Sequence, residues 1–94
     1  MKKIIKILAQ SRSIEILFAL RRKKLKFIEI VEIAGNPTTA TRRTTNLQGV
    51  GLISRRVLQD RRRSVEYSLT TKGIFVVEFL ERLKKRDLKF SRIE

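Results

Sequence analysis

Two short stretches of the sequence carry the side chains that could do chemistry. The first, residues 36–53 (NPTTATRRTTNLQGVGLI), combines threonine hydroxyls with two adjacent guanidiniums. The second, residues 59–64, contains three consecutive arginines. Hydroxyls and guanidiniums donate hydrogen bonds to phosphate oxygens, and arginine can also pair with a guanine edge through two parallel bonds. The residue types therefore indicate binding to a nucleic acid, and we expect the partner to be double-stranded DNA.

Residues 37–48 are predicted to form a recognition helix that enters the DNA major groove. Asn36 is a good N-cap, and Pro37 suits the first helical position, where its missing amide proton is not needed. Gly49 and Gly51 follow, as they do where a helix turns into a strand. The side that the helix can bury is narrow and consists of Ala40, Thr44 and Leu47. The alternative is that five threonines within eight residues, all poor helix formers, mark a polar loop.

The rest of this helix supplies the candidate DNA contacts, which are Thr38, Thr39, Thr41, Arg42, Arg43, Thr45 and Asn46. Arg42 is the best candidate for a bidentate bond to guanine, which is worth about 1–3 kcal/mol of discrimination. The threonines can bond phosphates or touch thymine methyl groups. Arg43 lies near the buried side and is expected to extend toward a phosphate. Asn46 comes late in the helix, so a contact with the DNA backbone is favoured over adenine.

Arg61, Arg62 and Arg63 form the second group of candidate contacts. Alternating residues on either side predict a β-hairpin, or wing, over residues 53–69, with its arginine tip at residues 60–64. A narrow minor groove attracts arginine, so we expect the tip on the flanking minor groove or backbone. The alternative is a solvated turn that keeps the chain soluble. No acidic residue occurs between Glu32 and Asp60, so negative charge is missing where DNA would approach.

Other elements must position these two stretches. Apolar periodicity predicts an N-terminal helix over residues 1–10 and a C-terminal helix over residues 71–90, the latter capped by Thr70 or Thr71. A helix that begins at Phe27 is joined to the recognition helix by only Gly35 and Asn36, which predicts a helix-turn-helix over residues 27–49. The sequence is compatible with either one helix or two over residues 3–21. If there are two, Ser11 or Ser13 is expected to cap the second. The basic run 21–26 is a solvated loop or a short strand, with or without phosphate contacts.

The terminal helices carry more apolar surface than one small core requires. In the C-terminal helix, Phe75 and Phe79 lie on a different side from Ile74 and Val77. The N-terminal helix adds Ile4, Ile5 and Leu8. We expect these helices to form the interface of a homodimer, which would set two recognition helices roughly 34–36 Å apart. The alternative is that both sets cover one core.

Composition bounds the remaining choices. Ninety-four residues suffice for one modest core, and we expect a single DNA-binding domain over residues 1–94. The net charge of +14 favours polyanionic partners. The absence of His and Cys, together with nine scattered acidic residues, argues against an enzyme, a metal site or any other cofactor. No apolar run is long enough for a membrane span, and we expect a cytoplasmic, nucleoid-associated protein. No polar cluster marks a site for a small-molecule effector.

Two motifs give the sequence a family resemblance. Residues 51–55 (GLISR) and residues 65–73 (VEYSLTTKG) resemble the wing of MarR and HxlR-type transcription regulators. The resemblance implies a winged helix-turn-helix fold, mainly α with a small β-hairpin (α+β). It also implies a transcription regulator that recognises a DNA sequence and blocks or redirects polymerase. Two other functions stay open, namely an architectural nucleoid protein without sequence preference and an RNA-binding, ribosome-associated module.

Overall fold

The structure, a computed structural model, describes residues 2–93, with side chains described up to Arg86. Within this range there are five helices and three strands, in the order α1 (Lys2–Ala9), α2 (Ser13–Arg22), β1 (Leu25–Lys26), α3 (Phe27–Ala34), α4 (Pro37–Gly49), β2 (Ile53–Val57), β3 (Val65–Leu69) and α5 (Thr71–Ile93). The strands form one antiparallel sheet in the order β1-β3-β2. The predicted α+β winged-helix fold class is confirmed.

The sheet has one strand more than the predicted hairpin. In β1, Leu25 pairs with Tyr67 and Lys26 pairs with Glu66, so β3 has a neighbour on both sides. Leu25 and Tyr67 are both buried. The basic run therefore ends in a short strand because one apolar residue, Leu25, can enter the core while its charged neighbours stay outside.

The core joins the helix-turn-helix to the sheet and to both flanking helices. Its largest fully buried apolar side chains are Ile16, Leu17, Ile30, Leu47, Leu52 and Val77. Fully burying one such side chain contributes about 1.5–3 kcal/mol, so these contacts dominate the packing of a chain this small. Leu47 is the main apolar anchor that α4 contributes, and it fixes the depth of that helix in the core.

The N-terminal region is two helices rather than one. Arg12 occupies the N-cap position of α2 in the left-handed conformation (φ 71°), and its side chain makes no cap hydrogen bond. The predicted serine cap is wrong. Ser13 is the first helical residue, and its hydroxyl is buried without a hydrogen-bond partner among the described atoms. The turn between α1 and α2 therefore lacks a cap of its own.

Helix α3 is held at both ends. Glu29 accepts a hydrogen bond from the backbone N–H of Lys26 through Oε1 (3.0 Å), and its Oε2 lies 3.1 Å from Nζ of Lys23. The bond from the Lys26 backbone, followed by that from Lys23, lowers the pKa of the Glu29 carboxyl. Gly35 ends the helix with φ 95°, a conformation that glycine adopts without strain. The helix-turn-helix thus begins tied to β1 and turns at a glycine.

The two sides of α5 differ as the sequence indicates. Val77 is fully buried, whereas Phe75, Phe79 and Leu83 are 67%, 54% and 54% exposed. The alternative in which both sets of apolar residues cover one core is therefore wrong for Phe75, Phe79 and Leu83, whereas Ile4 and Leu8 of α1 do pack against the core. Ile5 of α1 is 59% exposed as well. No helix within residues 2–93 is long and apolar enough to cross a membrane.

Candidate nucleic-acid interface

Helix α4 begins with the cap that the sequence predicts. The Asn36 side chain accepts a hydrogen bond from the backbone N–H of Thr39 at 2.8 Å, and Pro37 follows in the first turn. The buried Thr44 hydroxyl donates to the carbonyl of Ala40 at 2.9 Å, so its polarity is satisfied within the helix. The threonine-rich segment is therefore a helix, and the polar-loop alternative is wrong.

One face of α4 is open to solvent and entirely polar. It lies opposite the buried side formed by Ala40, Thr44 and Leu47. Its exposed side chains recur at the spacing i, i+3, i+4, i+7 and are Thr38, Thr41, Arg42 and Thr45. None of the hydrogen bonds or ion pairs found among the described side chains involves the Arg42 guanidinium. This face can donate to and accept from a ligand without breaking a contact of the folded chain.

The other three candidates on α4 lie on one flank of the helix and are half-buried. Arg43 donates from Nε to the carbonyl of Ser11 at 2.7 Å and from Nη2 to the Ser11 hydroxyl at 3.2 Å. Asn46 donates from Nδ2 to Oε1 of Gln10 at 3.1 Å. Thr39 lies beside them on the same flank. Arg43 and Asn46 thus face the turn between α1 and α2, a partner that helical periodicity did not reveal.

The end of α4 is fastened to the start of α5 through three successive carbonyls. The carbonyl of Val50 accepts from Nζ of Lys72 (2.9 Å), that of Gly51 from the Thr70 hydroxyl (2.5 Å), and that of Leu52 from the Thr70 backbone N–H (3.1 Å). The Thr70 oxygen also accepts from the N–H of Gly73 at 3.0 Å, which caps α5. The predicted threonine cap of α5 is confirmed at Thr70. The contacts to the three carbonyls were missed by sequence reasoning, although the SLTTKG part of the wing motif was their signal.

The hairpin tip is built around Asp60. Its Oδ1 accepts from the backbone N–H of Ser64 at 2.9 Å, and its carbonyl accepts from the N–H of Arg63 at 3.2 Å. The bond from Ser64 lowers the pKa of the Asp60 carboxyl, which therefore stays ionised and keeps the turn closed. Arg63 adopts φ 47°, a turn conformation that non-glycine residues seldom take. Arg61, Arg62 and Arg63 are all exposed on this turn.

Strand β2 extends the positive charge from the tip toward the body. Arg55 and Arg56 are both exposed, and Arg56 pairs in register with Glu66 of β3. Sequence reasoning used these two arginines only to assign a strand. Because both are exposed on an edge strand, they form one basic surface with the three arginines of the hairpin tip.

No candidate metal centre interrupts the described part of this basic surface. Among the residues that the structure describes, no group of three or more His, Cys, Asp or Glu side chains could hold a metal ion. The chemistry available here is hydrogen bonding and charge, which suits a phosphate backbone and base edges.

The family comparison matches most of the chain. The model for the HxlR-like helix-turn-helix matches residues 7–92. No curated protein matches the sequence.

Solved structures share the fold at low identity. A double mutant of ZitR from Lactococcus lactis is 24% identical with a TM-score of 0.77, covering 88% of this chain and 57% of the ZitR chain. The present chain thus spans little more than half the length of ZitR, a zinc-responsive MarR family member. The reduced transcriptional regulator YodB from B. subtilis is 22% identical with a TM-score of 0.78, covering 90% of this chain and 85% of YodB. HlyU from Vibrio cholerae is 24% identical with a TM-score of 0.70, covering 86% of this chain and 87% of HlyU.

Proposed function

This chain belongs to the HxlR-like helix-turn-helix family, and from that premise we propose that it is a transcription regulator that binds double-stranded DNA in a sequence-specific manner. Regulators of this kind are not enzymes. Helix α4 enters the major groove, and the arginine tip at residues 60–64 lies on the flanking minor groove or backbone. Occupying a promoter in this way blocks or redirects polymerase. The protein acts in the cytoplasm, at the nucleoid.

The observation that carries the proposal is the exposed polar face of α4. Thr38, Thr41, Arg42 and Thr45 share that face, while the opposite side is fully buried. A helix fixed in the core by one side, with exposed donors on the other, is suited to a groove lined by base edges. Arg43 and Asn46 are already bonded within the chain, so they are left out of the proposed contact set.

Selection of bound sequences from random duplex DNA tests the proposal and separates it from its rivals. We expect enrichment of one sequence that binds about 10³-fold or more tightly than random duplex at the same salt concentration. An architectural protein, which the net charge of +14 would also serve, should bind without enrichment. Tighter binding to an RNA of matched length would instead support the ribosome-associated alternative.

Arg42→Ala should relax the preference at one base position. Loss of a bidentate contact to guanine removes about 1–3 kcal/mol of discrimination, which is a factor of roughly 5 to 150. The measurement is the affinity for the selected sequence and for its three single-base variants at each position, at fixed salt. A loss of equal size on every sequence would contradict base reading and would make Arg42 a phosphate contact.

We also propose that two copies of the chain pair through the terminal helices. Phe75, Phe79 and Leu83 recur every fourth residue on α5 and form an exposed apolar stripe. A second copy related by a two-fold axis would cover this stripe with its own. Pairing would also give the dimer two recognition helices, and the half-site spacing found by selection reports their separation.

Phe79→Glu should convert the dimer into a monomer, because it places a charge in the centre of the stripe. Mass measurement in solution across concentration should give about twice 11.0 kDa for the wild type and 11.0 kDa for the variant. The control is Ile28→Glu, since Ile28 is 68% exposed on α3, outside the stripe. A wild-type protein that stays at 11.0 kDa at every concentration would contradict the dimer.

A zinc response like that of ZitR is not part of the proposal. Protein zinc sites are built chiefly from Cys and His, and this sequence contains neither.

A further inference from the structure

The turn between α1 and α2 receives its side-chain hydrogen bonds from the recognition helix. Arg43 bonds the carbonyl and the hydroxyl of Ser11, and Asn46 bonds Gln10. Arg43 and Asn46 are three residues apart, so they share one flank of α4. The contacts cross more than thirty residues of sequence and join the first helices of the chain to the helix that we assign to DNA.

This turn needs support from outside. Arg12 holds a left-handed conformation (φ 71°), which is uncommon for a residue with a side chain. The start of α2 has no side-chain cap, and the nearby hydroxyl of Ser13 is buried without a partner among the described atoms. The bonds from Arg43 and Asn46 are therefore the side-chain interactions that hold Gln10 and Ser11 in place.

Arg43 is well suited to this task and poorly placed for base reading. Its planar guanidinium donates from two nitrogens in a fixed geometry, which orders both partners at once. The exposed neighbour Arg42 makes no such bonds among the described side chains, although it has the same charge. Two adjacent arginines thus have different surroundings, because Arg42 lies on the exposed face of α4 and Arg43 on the flank that faces the α1–α2 turn.

We propose that Arg43 and Asn46 are positioning residues that lock the α1–α2 turn to the recognition helix, so that α1 and α4 move as one unit. The inference rests on the proposed function, since it concerns how α4 is presented to DNA. Helix α1 also carries the exposed Ile5. A partner that binds at Ile5 and shifts α1 would therefore shift α4 as well. These bonds couple α1 to α4 in addition to the packing of Ile4, Ile7 and Leu8 against the core, and the coupling is reciprocal.

The test compares Arg43→Ala and Arg43→Lys with the control Arg42→Ala. Amide hydrogen exchange without DNA is measured at Ser13 and Ile16, whose N–H groups donate to Gln10 and Arg12 at 3.2 and 3.0 Å. We expect exchange roughly tenfold faster in both Arg43 variants and unchanged in Arg42→Ala. Lysine keeps the charge but cannot donate two bonds in the guanidinium geometry, so it should not rescue the turn.

DNA titration across salt supplies the second readout. Both Arg43 variants should bind the selected sequence less tightly, with a salt slope equal to that of the wild type. Unchanged exchange in Arg43→Ala would overturn the proposal. So would a slope reduced by about one unit in Arg43→Ala and restored in Arg43→Lys, because that pattern identifies a phosphate contact.

The two proposals fail differently. If the wild type does not bind duplex DNA, the proposed function is refuted whatever the exchange data show. If the wild type binds a selected sequence but the Arg43 variants leave exchange and affinity unchanged, only the positioning role is refuted. Asn46→Ala gives an independent check, since it removes the bond to Gln10 and leaves the charge of α4 intact.

Discussion

Replacing Gly73 with alanine should lower the free energy of unfolding by about 3 kcal/mol, because the added methyl group has no room. A Cβ atom at this position would overlap the carbonyl oxygen of Leu52 and crowd the Leu69 side chain. The oxygen belongs to backbone, so the clash cannot be relieved by rotating a side chain. For a domain of this size, a loss of this magnitude lowers the melting temperature by roughly 10–20 °C.

The effect is expected to be large because Gly73 lies at the joint that fastens the recognition helix to the rest of the fold. The Leu52 carbonyl accepts from the backbone N–H of Thr70, and the N–H of Gly73 donates to the Thr70 hydroxyl oxygen. Pushing Leu52 away would therefore strain two hydrogen bonds in addition to the packing of Leu52, which is fully buried. The joint tolerates only glycine because of close approach, since Gly73 has no unusual φ.

Gly49→Ala is the matched control. Gly49 lies in the last turn of α4, is exposed, and an added Cβ would meet nothing within 4 Å. Alanine there should be neutral or stabilising by about 0.5–1 kcal/mol, because it favours helix and restricts the unfolded chain. Thermal unfolding followed by circular dichroism compares the two. A Gly73→Ala protein that melts within about 2 °C of the wild type would contradict the close contact with Leu52.

Local signals in the sequence were sufficient to predict α4. The Asn36 cap and Pro37 act through the backbone of the first turn, and the spacing of Ala40, Thr44 and Leu47 defines one buried side. These effects depend on neighbours within seven residues, so they can be read without a structure. The exposed face that follows from them, with Arg42 at its centre, is where the structure has it.

Contacts between distant segments could not be predicted in this way. Periodicity indicated that Arg43 lies near the buried side, but not that Ser11 would be its partner. Cap preference indicated a serine before α2, whereas tertiary contacts of α4 hold the turn and Arg12 takes the cap position instead. Both differences have one cause, since the α1–α2 turn is stabilised by Arg43 and Asn46, which lie more than thirty residues later in the chain than their partners.

The strand β1 illustrates a related limit. Two residues carry too little periodicity to separate a strand from a solvated loop, and four of the five residues before Lys26 are basic. What makes the segment a strand is the partner, because Leu25 is paired with and buried beside Tyr67. The wing motif that contains Tyr67 predicted the hairpin, whereas the third strand stayed one of two alternatives until its partner was known.

Replacing Arg61, Arg62 and Arg63 together with alanine should weaken binding to every duplex. If each arginine neutralises one phosphate, binding weakens by roughly 3 × 10³-fold at 50 mM salt and roughly 10²-fold at 200 mM. The salt slope should fall by up to about three units, because three fewer counterions are released. Sequence preference should change little, since phosphate contacts are the same for every sequence. Titration at four or five salt concentrations, on the selected sequence and on random duplex, measures both quantities.

The control removes the same charge from another part of the chain. Residues 84–86 (Lys84, Lys85 and Arg86) are exposed on α5, outside the proposed contact set. Their replacement with alanine lowers the net charge by three, as the wing variant does, so a general attraction to DNA would be reduced equally in both. We expect the slope of this control to stay within about one unit of the wild type.

The wing tip differs because Asp60 holds it in a closed turn that projects its arginines. An unchanged slope in the wing variant would remove the tip from the contact set, and equal losses in both variants would mean that net charge, rather than the wing, supplies the affinity.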